Sequence, residues 1–116
     1  MTLRAYQNTQ QITENPRETE YRLFGQVTGA LINAQREGRT GGPLCEAVDW
    51  NRKLWRHLAA DCLDEGNRLP DGLRANIVSL SLFVSRYSKD VMRSGASLDP
   101  LIDINRSIMQ GLQGAA

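Results

Sequence analysis

Apolar residues recur along this chain every three or four positions, and the runs break where proline and glycine cluster. That period belongs to helices. No stretch alternates β-branched and polar residues between paired turn residues, so the pattern predicts an all-α fold. The first main helix opens at Asn15-Pro16-Arg17-Glu18, where Asn15 suits the cap, Pro16 the first helical position, and Glu18 completes a capping box. It presents Phe24, Val27, Thr28, Leu31 and Ala34 on one stripe, with Tyr21 and Ile32 at the edge, and Gly38 ends it after about Glu37. Gly25 and Gly29 share a neighbouring strip, which either admits another helix closely or is simply tolerated.

Thr40-Gly41-Gly42-Pro43 opens a second helix whose stripe is Leu44, Ala47, Val48, Asn51, Leu54, Trp55, Leu58 and Cys62. Gly66 and the Leu69-Pro70 step separate it from a third, in which Leu73, Ile77, Leu80, Val84, Tyr87 and Val91 form a heptad seam. Val78, Leu82 and Met92 put apolar side chains on the other side of this third helix, which predicts that it is the central, most buried one. Gly95 closes it. Asp99-Pro100 caps a fourth helix lined by Leu101, Ile104, Ile108 and Leu112, with Ile102 and Met109 beside them. Connections of a few residues favour antiparallel neighbours, so the expected architecture is one compact bundle of four main antiparallel helices spanning residues 15–112. Residues 1–14 form an N-terminal segment in which Leu3 to Thr13 leaves room for a short extra helix, and residues 113–116 form a frayed tail.

Size and charge narrow the function classes. A chain of 116 residues carries one core and therefore one domain. Fourteen Lys and Arg against thirteen Asp and Glu leave a net charge of +1, without the basic footprint of most nucleic-acid binders, which argues against nucleic acid as a partner. No window nears the roughly 20 apolar residues of a membrane span, and Met1 to Gln11 lacks the basic-then-apolar order of a secretory leader. Cys45 and Cys62 fall in one helix more than four turns apart, too far to bridge, which predicts free thiols and a cytoplasmic location.

Candidate chemistry is sparse. His57, the one histidine, stands four residues before Asp61, a spacing that suits a surface ion pair and lacks a nucleophile or second metal ligand. Carboxylates interleave with bases on the second helix, as in Asp49 with Lys53, and Gly41-Gly42 lacks the spacing and lysine of a phosphate loop. The expectation is a binding protein, not an enzyme, with no catalytic residues, metal or cofactor. Asn51 and Asn105 interrupt apolar stripes and either satisfy loop or helix-end backbone groups, fix helix register, or meet a partner. Trp55 points to the core. Trp50 sits on the stripe's shoulder, where it either packs under the N-terminal segment or forms a binding hot spot.

Five blocks carry a resemblance: Ala5-Tyr6-Gln7, Asn15-Pro-Arg-Glu-Thr-Glu-Tyr-Arg-Leu-Phe24, Trp50-Asn-Arg-Lys-Leu-Trp55, Leu69-Pro-Asp-Gly-Leu-Arg74 and Leu101-Ile-Asp-Ile-Asn-Arg-Ser-Ile-Met109. In this order, and at this length, the chain resembles the flagellar biosynthesis regulators of the FlaF family. The resemblance implies a cytoplasmic factor that promotes flagellin synthesis and secretion in balance with the translational repressor FlbT, binding flagellin as an export chaperone. Flagellin's terminal segments are amphipathic helices, which a helical bundle can shelter in a groove. Direct binding of flagellin messenger RNA, or an adaptor role toward FlbT or the export apparatus, are the alternatives. For partner contact the stripe edges of the first two main helices nominate Arg17, Glu18, Tyr21, Trp50 and Arg52.

Overall fold

Glycine sets the helix ends in the way the punctuation predicts. Gly38 adopts a left-handed backbone (φ 60°) after the first helix. Its amide donates to the Gln35 carbonyl at 3.2 Å while the Arg39 amide donates to that of Ala34 at 2.9 Å. These two bonds close a Schellman turn, which only glycine enters without a Cβ penalty. Gly95 (φ 69°) ends the third helix with the simpler left-handed cap, a single bond from its amide to the Val91 carbonyl.

The computed structural model describes residues 16–114, and among these four helices and no strand are found. They are α1 (Pro16–Arg36), α2 (Gly41–Cys62), α3 (Asp71–Ser94) and α4 (Asp99–Gly114). The proposed helix over Leu3 to Thr13 and the Asn15 cap lie outside the described residues. α4 continues through Gly114, two residues past its expected end. Thr40 precedes α2 with extended backbone and no side-chain cap.

Cross-helix pairs fix the directions. Arg17 at the start of α1 meets Asp61 at the end of α2, Gln35 at the end of α1 meets Asp99 at the start of α4, and Leu73 at the start of α3 lies against Gly111 near the end of α4, so each helix runs antiparallel to the next, and α4 to α1. α1 packs between α2 and α4, and α2 between α1 and α3, whereas α3 and α4 touch much less. The result is a slab 40 × 40 × 20 Å, two helix diameters thick, with a radius of gyration of 15.1 Å against about 13 Å for a rounder domain of this size.

This arrangement corrects one expectation. α3 is not the central helix: its buried residues are Ile77, Val84, Ser88 and Val91, while Leu82 and Phe83 are 59% and 43% exposed. With α2 on one side and only the ends of α4 on the other, its second apolar face has nothing to pack against. The centre instead lies where α1, α2 and α4 converge on Trp55, and Phe24 meets that indole edge-to-face at 5.4 Å. Gly25 has the Met109 methyl near its Cβ direction, whereas Gly29 faces open space, so only the first of the pair borders a neighbour. The tightest glycine approach is Gly111 of α4, where an added Cβ would lie 3.2 Å from Leu73 of α3.

Candidate partner-binding surfaces

Both asparagines that interrupt the stripes are fully buried and bound to each other. The Asn105 amide Nδ2 donates to Asn51 Oδ1 at 2.7 Å and to Thr28 Oγ1 at 3.1 Å, and Trp55 Nε1 donates to Asn105 Oδ1 at 2.8 Å. One amide on α4 therefore ties α1 and α2 together, and neither asparagine is open to a partner. Asn51 Nδ2 and the Ser88 hydroxyl are buried without a hydrogen-bond partner among the described residues.

The five nominated contact residues do not form one patch. Arg17, Glu18 and Tyr21 line a hollow at the start of α1, completed by Leu112 and Gln113 at the end of α4. Trp50, 43% exposed, walls a different hollow between α1 and α2, with Ala30, Arg39, Pro43, Glu46 and Ala47. Arg52 stands two residues, about 200°, around α2 from Trp50 and so on the opposite flank. Its Nε is buried, 3.6 Å from Asp49 Oδ1 and without a hydrogen bond among the described residues. Each of the five stands at a stripe edge, but the edges do not face the same way.

Electrostatics tighten the α1 to α2 seam. Arg17 pairs with Glu20 one turn on and lies 3.7 Å from Asp61. Burial pushes the Glu20 carboxyl above its ordinary range, the Arg17 guanidinium pulls it down, and Asp61 raises it again. Asp61 also accepts from Asn67 Nδ2, so its neighbours here are Arg17 and Asn67, and His57 is exposed on the same flank. The expected Asp49 to Lys53 pairing gives way to Asp49 with Arg52. Burial, helped by Asp61, raises the Cys62 thiol, and both cysteines are free.

Two features went unread in the sequence. Arg74 reaches across from α3, and its Nε and Nη2 donate to the Cys62 carbonyl at 3.0 and 2.8 Å, satisfying the end of α2 where no glycine stands at the terminus. Its place in the Leu69 to Arg74 block was the only signal. Arg39, just past the Gly38 turn, brings a cation to the Trp50 hollow, and its Nη2 lies 2.6 Å from Glu37 Oε2.

The sequence profile of the family described as flagellar protein FlaF matches residues 2–112. No curated protein and no solved structure matches the chain. Among the described residues no helix is long and apolar enough to cross a membrane.

Proposed function

Since the chain belongs to the FlaF family of flagellar proteins, we propose that it binds flagellin in the cytoplasm, as an export chaperone that promotes flagellin synthesis and secretion. It works through a surface and not through an active site. The observation that carries this reading is Trp50, a large aromatic side chain left 43% exposed at the lip of a hollow that also holds a cation, Arg39, and a carboxylate, Glu46. An aromatic anchor with charged neighbours at its rim is the usual composition of a protein-binding hot spot. An amphipathic helix of flagellin would seat an apolar side chain against the indole while its polar flanks meet Arg39 and Glu46. The Tyr21 hollow, on the α4 side of α1, is a second contact of the same kind.

The test is size-exclusion chromatography of the purified protein with unpolymerised flagellin. Co-elution at micromolar concentration is expected. Separate elution there, with both proteins folded, overturns the chaperone mechanism while leaving the family membership untouched.

A further inference from the structure

The unpartnered face of α3 carries a pattern that is its own complement. Reading outward-facing or rim positions along the helix gives Asp71, Ala75, Val78, Leu82, Arg86, Lys89 and Arg93. The steps are four, three, four, four, three and four residues, a helical seam that reads the same in both directions about Leu82. Asp71 is fully exposed with only a loose 3.7 Å approach from Arg74 Nη1 on its own helix, Leu82 is 59% exposed, and Val78 is half-buried. Arg86, Lys89 and Arg93 are exposed and make no ion pair among the described residues. Beside the acidic end of the strip, Leu63, just past the end of α2, is 72% exposed and shares a hollow with Ala75 and Val78. Anion stands at one end, cations at the other, and the only large exposed aliphatic side chain of the strip lies at the midpoint.

The geometry points to a second copy of this chain as the occupant, paired through α3 in antiparallel fashion about a twofold axis at Leu82. That operation sets Leu82 against Leu82, Val78 against Arg86, Ala75 against Lys89 and Asp71 against Arg93. The seam runs from Asp71 to Arg93, a rise of about 33 Å along the helix. Each contact occurs twice, as an isologous interface requires. The aliphatic stems of Arg86 and Lys89 cover Val78, Ala75 and the adjacent Leu63, keeping their charged heads in water. A parallel pairing would place Arg93 on Arg93 and Asp71 on Asp71, so charge selects the direction. The small apolar centre and the exposed ion pairs make this a weak dimer, weakened further by salt. It does not depend on the flagellin reading, because Trp50 lies on the α1 side of α2, away from α3.

Sedimentation equilibrium from about 10 to 500 µM, at low and high salt, tests it. The wild-type chain is expected to pass from monomer to dimer with concentration, and at least tenfold less readily in Leu82→Glu. Asp71→Arg and Arg93→Glu should each weaken the dimer, and the two combined should restore it, since the swapped charges again face each other. Circular dichroism melts identify any variant whose fold has changed; Leu82→Ser offers a milder replacement. A wild-type chain that stays monomeric throughout overturns the proposal. So does a dimer indifferent to Leu82, or one that the double charge reversal fails to recover.

Discussion

The indole N–H of Trp55 on α2 and the side-chain oxygen of Asn105 on α4 are joined by a buried 2.8 Å hydrogen bond, and the same asparagine binds Asn51 and Thr28 through its Nδ2. Three helices thus share one amide. Replacing Asn105 with Leu strands the Trp55 N–H without an acceptor and removes a donor from two oxygens, at about 1–3 kcal/mol for each buried group left unpaired. Urea unfolding should show Asn105→Leu as the most damaging single change at this site, near 3 kcal/mol or more. Trp55→Phe should lose at least as much from the indole's volume as from its bond. A cost for Asn105→Leu below about 1 kcal/mol would mean that the network does not hold α4 in place.

Ser88 presents the opposite case. Its hydroxyl is fully buried on α3 with no hydrogen-bond partner among the described residues. Ser88→Ala removes a polar atom that gains nothing from its surroundings, so stability should be unchanged or higher by up to about 1 kcal/mol. Loss of more than that in the same unfolding assay would place an ordered water on the hydroxyl.

Arg74 holds the end of α2 through two donors on one carbonyl. Arg74→Ala should cost about 1.5–3 kcal/mol, the range for a charged hydrogen bond, and Arg74→Lys should recover only part because a single ammonium cannot reproduce the forked contact. Hydrogen exchange should locate the loss in the last turn of α2. Faster exchange at the centre of the bundle instead would contradict a capping role.

Glu20 gives the pH dependence. Its folded pKa is raised, chiefly by burial, so the folded state holds its proton more tightly than the unfolded chain. The stability from that difference is fully present below the ordinary carboxyl value of 4.5 and is lost as pH rises through the higher folded value. Glu20→Gln, which never ionises, should therefore be more stable than wild type at pH 7 and indistinguishable from it near pH 4. An advantage that instead grows on acidification would show that the Arg17 pair outweighs burial.

Much of the fold was legible because its signals are local. Gly38 and Gly95 end helices by backbone conformation, and the Phe24 to Ala34 and Leu101 to Leu112 stripes each face one core. Asn51 and Asn105 stood out as polar residues in apolar stripes, yet that they bond to each other depends on how α2 and α4 cross, which periodicity does not carry. The misplacement of α3 has the same origin. Two apolar faces imply two neighbours, but Leu82 and Phe83 face outward because α4 lies against α1. Among the nominated contact residues, spacing alone separates Trp50 from Arg52 around α2, whereas the distance between the Tyr21 and Trp50 hollows appears only once α1 is seated between α2 and α4.

Binding through Trp50 is the central claim, and a calorimetric titration of monomeric flagellin into wild type and Trp50→Ala tests it most directly. Trp50 is half-exposed and outside the buried core, so the variant should melt within a few degrees of wild type. The predicted result is micromolar or tighter binding for wild type and an affinity at least about 30-fold lower for the variant, the loss of a 2 kcal/mol hot spot. Equal affinities for the two proteins, or no heat of binding to flagellin from either, would contradict it.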